Sequence, residues 1–239
     1  MMERFKIVIL MGRPASGKSE LINFLRNTPL EERLRRFHIG EFEEIDDFPM
    51  LWVWFEEDAI YEKILKKPRI HTDEEGYFKH QYQWDLLIER ISLEYDKRLR
   101  DENYHNTMTC IIEFSRGSEH GGYHSAFKHL SEKILKEAVI LYINVPYEES
   151  LRKNRKRFNP NRPDSILEHG LPDKKLEKMY KEIDWEDFKG DDPHFIEVRG
   201  HKVPYVVFEN MPSQTDDPAL LGPALDKCFG KLWEIFPKR

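Results

Sequence analysis

Cysteine is scarce in this sequence. The 239 residues include two, Cys110 and Cys228, and each lies in an apolar stretch. Two distant cysteines cannot form the dense set of disulfides that holds small secreted domains together. We therefore exclude a disulfide framework and expect two buried free thiols. The chain also enters its first apolar run without a small-residue cleavage site after it, and both features favour a cytoplasmic location.

Long apolar runs and an excess of positive charge are missing as well. The longest apolar runs, at residues 7–11 and 138–145, are far shorter than the roughly 18 residues of a membrane helix. Lysine and arginine number 38 against 44 aspartate and glutamate, which gives a formal net charge of −6. The chain thus lacks a broad positive field for nucleic acid or an anionic membrane surface, and we expect neither partner. Any anion site must be local.

What the sequence does contain is enough apolar material for one sizeable core. Hydrophobic residues make up 39% and charged residues 34%, so a packed interior would carry a heavily ionised surface. This length suits a single α/β domain, and we take residues 1–239 as one unit.

Short β-branched runs alternate with stretches of helical periodicity along the chain. Strands are predicted at residues 5–11, 38–42, 107–114, 138–145 and 203–209, and an antiparallel partner for the last is considered at 195–198. Helices are predicted at 19–25, 30–37, 51–66, 78–100, 123–136, 147–157, 173–183 and 218–236. The acidic segment 43–47 and the proline-rich segment 158–172 are predicted as loops, the second one mobile. This alternation predicts a three-layer α/β/α fold with a doubly wound parallel sheet of about five strands and a ligand site at their carboxyl ends.

One segment between the first strand and the first helix matches the phosphate-binding pattern G-x-x-x-x-G-K-[ST] in full. Its residues are Gly12, Arg13, Pro14, Ala15, Ser16, Gly17, Lys18 and Ser19. The glycines let successive N–H groups and the helix N-terminus point at phosphate oxygens. Lys18 would reach the β and γ phosphates, and the Ser19 hydroxyl would bind Mg²⁺. The pattern therefore predicts a site for ATP with Mg²⁺, and the alternative, a turn that merely uses glycine, is disfavoured by the strand and helix around it.

With this loop the sequence resembles the P-loop kinases of nucleosides, nucleotides and small metabolites. The departures, Ala15 where glycine is common and Glu20 where threonine is common, do not touch the groups that contact phosphate. The resemblance implies a P-loop NTPase fold with two helical insertions, at about 43–104 for an acceptor and 152–193 for a lid. It also implies adenine rather than guanine nucleotide, since no Asn-Lys-x-Asp segment is present.

Glu113 and Arg116 follow the buried strand at 107–114. A carboxylate at this place, beside the phosphate loop, can hold a water on Mg²⁺ or accept a substrate proton, and Arg116 would lie within reach of a substrate. The segment resembles the acid-plus-arginine segment of deoxynucleoside and thymidylate kinases. The alternative is a solvated carboxylate at a strand end.

Two charged segments are further candidates. By the resemblance, the basic segment 152–157 occupies the position of the lid, and Arg152 and Arg155, with Arg157 considered, would neutralise the transferring phosphoryl group. The acidic segment offers Asp46 or Asp47 as the group that orients or deprotonates the acceptor; we assign that role to Asp46 and a substrate contact to Asp47, although no neighbouring residue selects one carboxylate. The competing interpretations are a solvated helix face and a solvated loop.

Several aromatic and polar residues have weaker patterns. Trp52, Trp54, Phe55 and Trp84 can stack on a nucleobase, although aromatics at helical spacing are more often core. His120 and His124 are four apart, but the two glycines between them disfavour a zinc site. Asn210, after the last strand, is considered for the adenine pocket.

The leading hypothesis is a phosphotransferase that moves the γ-phosphoryl group of Mg·ATP to a small acceptor, a nucleoside, nucleotide or other metabolite. One alternative is an ATP-binding sensor or adaptor without acceptor chemistry. Another is a P-loop ATPase acting on nucleic acid, which the acidic net charge disfavours.

Overall fold

The structure is a computed structural model that describes residues 4–100, 103–157, 161 and 170–236. The predicted mobile loop at 158–172 falls mostly outside the described residues. Within them, no helix combines the length and the apolar character needed to cross a bilayer. Both cysteines are buried and free, as expected.

Six strands of the described chain form one sheet in the order β2-β3-β1-β4-β6-β5. Their bounds are β1 Ile7–Gly12, β2 Glu41–Asp46, β3 Met108–Phe114, β4 Ala138–Asn144, β5 Phe195–Val198 and β6 His201–Glu209. The first five in spatial order run parallel, and β5 joins β6 as an antiparallel edge strand. The predicted parallel sheet of about five strands is confirmed, as is the antiparallel strand considered at 195–198.

Helices cover both faces of the sheet. They are α1 Lys18–Asn27, α2 Leu30–Phe37, α3 Asp47–Lys63, α4 Tyr82–Arg98, α5 Tyr104–Thr107, α6 Gly122–His129, α7 Glu132–Glu137, α8 Tyr147–Arg157, α9 Asp173–Tyr180, α10 Trp185–Lys189 and α11 Pro218–Ile235. Helices α1, α2 and α11 pack on one face of the sheet, and α4, α6, α7 and α10 pack on the other. These layers confirm the three-layer α/β/α prediction.

The central strand β1 explains this layering. All six of its residues are buried, and it pairs with β3 on one side and β4 on the other. Successive side chains point to opposite faces, so Ile7, Ile9 and Met11 enter one core while Val8 and Leu10 enter the other. A strand without a polar face must be covered twice, and the phosphate-loop motif follows at its carboxyl end.

The predicted second strand and the acidic loop after it differ from the structure. Strand β2 spans Glu41–Asp46, so most of the predicted loop at 43–47 is strand rather than loop. Edge strands tolerate charge, and Glu41 and Glu43 are exposed while Ile45 is buried. Helix α3 begins at Asp47, earlier than predicted, because the Asp46 carboxylate accepts a hydrogen bond from the backbone N–H of Phe48.

The helices differ from the prediction in two further places. The helix predicted at 123–136 is two helices, α6 and α7, because Leu130 is extended and Ser131 caps α7 by accepting from the N–H of Ile134. Helix α10 was not predicted, since five residues are too few to show a period. Its Trp185 is buried and stacks on Tyr142 of β4, with 3.7 Å between ring centroids.

A third apolar cluster lies beyond the carboxyl end of the sheet. Helices α3, α4 and α9 meet there through Trp54, Trp84, Leu176 and other buried side chains. The segment after α3 is held by the buried carboxylate of Asp58, which accepts from the backbone N–H groups of residues 70–72 and from the Thr72 hydroxyl. The segment that follows lines the cleft described next through Asp73, Gly76 and Tyr77.

Candidate active site

The phosphate-loop motif lies between β1 and α1 and depends on both of its glycines. Gly12 and Gly17 have φ angles of 149° and 111°, in the region that favours glycine. A Cβ on Gly12 would lie 2.6 Å from the carbonyl oxygen of Ile143, and one on Gly17 would lie 2.7 Å from the Thr215 side chain. No side chain caps the N-terminus of α1. The first N–H groups of the helix are thus available to an anion.

The Lys18 side chain folds back over this loop. It is 5% exposed, and its Nζ donates to the carbonyl oxygen of Arg13 at 3.1 Å and to Ser115 Oγ at 2.9 Å. Glu113 Oε1 lies 3.9 Å from the same nitrogen. Burial lowers the pKa of Lys18, and Glu113 opposes that shift. The motif therefore places a desolvated cation where a phosphate would bind, beside an acidic residue.

Glu113 and Asp46 are cross-strand neighbours on β3 and β2. Burial, followed by the charges of Glu113 and Asp47, raises the pKa of Asp46 to about 8. Burial also raises the pKa of Glu113, against the attraction of Lys18. The structure thus gathers the predicted residues Lys18, Glu113, Asp46 and Asp47 at one end of a cleft.

Whether this site suits Mg²⁺ depends on its oxygen donors. Among the described residues, no three His, Cys, Asp or Glu side chains are arranged to hold a metal ion by themselves. Mg²⁺, however, is usually held by one or two protein oxygens together with water and substrate phosphates. Ser19, Glu113 and Asp46 all line the cleft and supply oxygen donors of that kind. The residues present therefore fit a magnesium ion that is bound together with a nucleotide.

The predicted substrate contacts Asp47 and Arg116 pair with each other. Their closest atoms, Asp47 Oδ2 and Arg116 Nη1, are 2.5 Å apart, and Arg116 is 2% exposed. Arg116 also donates to the carbonyl oxygens of Ser115 and Trp84 and lies over the Trp84 ring. Both residues line the cleft. The pair is thus a fixed part of its wall, not a mobile arm.

The predicted lid arginines, Arg152 and Arg155, lie elsewhere than expected. Each is more than half exposed and pairs with a carboxylate, Arg152 with Glu149 at 2.7 Å and Arg155 with Asp173 at 2.6 Å. Neither is among the described residues that line the cleft.

Helical phase explains the difference. Lys153 and Arg157 are one turn apart and line the cleft, so Arg152 and Arg155 occupy other faces of α8. Arg157 acts on the site through its charge, which lowers the pKa of both Lys18 and Glu113. Lys153 and Arg157 are therefore the cations that α8 brings to the cleft. Lys153 was missed, although the period of the helix could have indicated it.

Arg13 belongs to the motif, but its side chain leaves the phosphate site. Its guanidinium donates to the carbonyl oxygens of Val145, Tyr180 and Lys181. The last two lie at the end of α9, so Arg13 ties the loop to that helix. Arg13 can therefore contribute only its backbone groups to a phosphate site.

Asn210 and Thr215 support the loop from behind. Asn210 Nδ2 donates to the carbonyl oxygen of Ser16 and to Thr215 Oγ1, both at 2.9 Å. Lys153 Nζ donates to the same hydroxyl at 2.9 Å. Asn210 is fully buried and is not among the described residues that line the cleft, so the contacts that the structure shows for it are those to the loop and to Thr215.

The cleft that contains these groups has a volume of about 860 Å³. Beyond the phosphate loop its walls are largely aromatic, and three of the four predicted stacking residues, Trp52, Phe55 and Trp84, line it. Trp54 lies in the apolar cluster instead. His124 pairs with Asp187, away from His120, so the two histidines do not come together. Ligand sites commonly have about this size.

Comparison with known proteins finds similarity in structure but not in sequence. No family model matches the chain, and no curated protein matches it in sequence. Among solved structures, it is similar to Kti12 of Chaetomium thermophilum in complex with ADP-AlF3, with 14% identity, coverage of 95% of this chain and 97% of the other, and a TM-score of 0.44. A sugar kinase from Janibacter sp. matches at 14% identity, 93% and 92% coverage and a TM-score of 0.40. Shikimate kinase from Acinetobacter baumannii matches at 15%, 74% and 76%, with a TM-score of 0.36.

Because these similarities are distant, we assign the fold class from the features of the chain itself. These are the parallel sheet, the complete phosphate-loop motif at the carboxyl end of its central strand, and the helices on both faces. Together they define a three-layer α/β/α fold that carries a P-loop at the carboxyl end of its central strand.

Proposed function

We propose that this protein is a phosphotransferase that moves the γ-phosphoryl group of Mg·ATP to a hydroxyl or phosphate of a small acceptor. One observation carries the proposal: Lys18 of the phosphate loop meets Glu113 and Asp46 at one end of a cleft that continues into an aromatic chamber. A site that only bound and hydrolysed nucleotide would not need this second compartment.

The phosphate loop would bind the triphosphate. Backbone N–H groups of Gly17, Lys18 and Ser19 would donate to the phosphate oxygens, and Lys18 would exchange its carbonyl partners for phosphate oxygens. Because the ammonium group is buried, its charge is screened less than that of a surface lysine. The loop therefore neutralises charge with little reorganisation.

The Ser19 hydroxyl and the Glu113 carboxylate would hold Mg²⁺, which supplies neutralisation of the developing phosphate charge. Arg157 of α8 would contact the triphosphate from the other side of the cleft, in place of the predicted Arg152 and Arg155, while Lys153 keeps its contacts with Thr215 and Asp216. Asp46 accepts one hydrogen bond at the start of α3 through Oδ1. Its second oxygen would orient the acceptor hydroxyl and, in the ionised form that the charge of Lys18 favours, take its proton. Asp47 and Arg116 would contact the acceptor from their buried pair.

Replacing Lys18 with alanine tests this assignment. We expect the Lys18→Ala variant to keep its fold, because the side chain packs over a loop and not in a core cluster, and to lose phosphoryl transfer. The assay incubates ATP with a mixed pool of nucleosides, nucleotides and metabolites and detects a product heavier by one phosphoryl group by mass spectrometry. Lys174, an exposed residue of α9, gives a matched Lys→Ala control that should keep full activity.

Two outcomes would contradict the proposal. Near-normal transfer by the Lys18→Ala variant would exclude the phosphate-loop mechanism. ADP formation by the native protein without any phosphorylated acceptor would favour an ATP-binding sensor or a P-loop ATPase instead.

A further inference from the structure

The cleft beyond the phosphate loop is lined on one side by an aromatic face of α3. Phe48, Trp52 and Phe55 lie on one face of that helix, and all three side chains are half-buried and line the cleft. Phe78 and Trp84 line it as well. We call the space between these five side chains the acceptor chamber. Phe78 and Trp84 also pack in the third apolar cluster, so the aromatic surface available to a flat ligand is mainly that of Phe48, Trp52 and Phe55.

The floor of the acceptor chamber contains an unusual histidine. His120 stacks on Trp84, with ring centroids 3.8 Å apart, and the Tyr180 ring meets it edge-on. It lines the cleft and is 3% exposed. Burial and the charge of Arg116 lower the pKa of His120 to about 3, so the imidazole is neutral near pH 7.

Neither ring nitrogen of His120 has a hydrogen-bond partner in the part of the chain that the structure describes. A neutral imidazole has one donor and one acceptor, and burying both without partners destabilises the fold. Phenylalanine would stack on Trp84 equally well without that cost. Buried polar groups that lack partners need an explanation, and one explanation is that a ligand supplies the partner.

We propose that the acceptor chamber binds a flat heteroaromatic ring that carries a hydroxyl-bearing group, and that His120 hydrogen-bonds the polar edge of this ring. The inference rests on the proposed function, since it names the chemical class of the acceptor. The faces of such a ring would stack on the aromatic walls, and its polar edge would accept or donate a hydrogen bond at His120. An open-chain polyol would leave hydroxyls unpaired against Phe48, Trp52 and Phe55.

The test measures binding without ATP, so that it does not depend on turnover. Purine and pyrimidine nucleosides are the probes, glucose and glycerol are the comparison ligands, and quenching of tryptophan fluorescence is the signal, because Trp52 and Trp84 line the chamber. We expect saturable quenching by at least one nucleoside and none by the comparison ligands. The His120→Phe variant should bind that nucleoside at least about tenfold more weakly, the effect of losing one hydrogen bond to a buried group.

A stability measurement separates recognition from a structural role. The His120→Phe variant should be as stable to urea as the native protein or more so, because it removes two unpartnered polar atoms. His120→Asn keeps a donor and an acceptor and should restore part of the affinity. Native affinity in the His120→Phe variant, binding of glycerol or glucose in preference to nucleosides, or no nucleoside binding at all would each overturn the inference.

Failure of this inference can also be distinguished from failure of the proposed function. Nucleoside binding by both the native protein and the Lys18→Ala variant, without phosphoryl transfer in the native protein, would contradict the phosphotransferase alone. Phosphoryl transfer to an acceptor without an aromatic ring would support the phosphotransferase and overturn the ring-binding chamber.

Discussion

Replacing Arg157 with alanine tests which cation of α8 acts on the transferring phosphoryl group. Arg157 lines the cleft, and its charge lowers the pKa of Lys18 and Glu113. Removing one preorganised donor from such a site lowers kcat by roughly 10²–10³, which corresponds to about 2.7–4 kcal/mol. Because Arg157 is exposed and water screens its charge, we expect the lower end, about a hundredfold loss of kcat. Steady-state kinetics with saturating ATP and acceptor measure this loss.

Two arginines on the same helix provide matched controls. Arg152→Ala and Arg155→Ala remove the same charge, but the two side chains pair with Glu149 and Asp173 outside the cleft. We expect each to change kcat by less than about threefold, since exposed ion pairs contribute little. Equal losses of kcat in all three variants would show that the total charge of α8 matters and that the face on which each arginine lies does not. Unchanged kcat in the Arg157→Ala variant would refute the placement of that residue at the phosphates.

The remaining predictions concern stability. Asp47→Asn should destabilise the fold by about 3–5 kcal/mol in urea unfolding, because it leaves the Arg116 charge buried without its partner; a change below about 1 kcal/mol would contradict this. Burial of Asp58 is outweighed by hydrogen bonds from Thr72 and the N–H groups of residues 70–72, which lower its pKa. The ionised Asp58 therefore contributes its full stabilisation at pH values above its pKa in the unfolded chain, about 4. This contribution is lost as the pH falls through the lower pKa of the folded state. Asp58→Asn should remove that part of the acid dependence, and an unchanged slope of unfolding free energy between about pH 5 and 2 would contradict it.

Short-range sequence patterns were enough to predict those helices and strands whose bounds depend on neighbouring residues alone. Helices α2 and α8 and strand β5 have the predicted bounds, and β1 and the phosphate loop follow from a buried apolar run with glycines at fixed spacing. Strand β2 was misplaced because its carboxylates resemble a loop. They are tolerated there because β2 is an edge strand, and edge position depends on the order of strands in space.

Side-chain directions were harder to predict than elements. The phase of α8, which turns Lys153 and Arg157 towards the cleft, was within reach of the sequence, since 3.6 residues per turn set it. The direction of Arg13 was not, because its acceptors Tyr180 and Lys181 are brought close only by the folded chain. The acceptor chamber likewise depends on α3, α4 and α9 meeting in space.

The hydrogen bonds of Arg13 have a consequence for how the two ends of the cleft communicate. Arg13 belongs to the phosphate loop, and its partners end α9, the helix that contributes Lys175, Met179 and Tyr180 to the cleft wall. Under the proposed function, a shift of the loop on binding a triphosphate would be passed to the wall that faces the acceptor. Nucleotide and acceptor would then bind as thermodynamically linked ligands, and each would change the affinity of the other by the same factor.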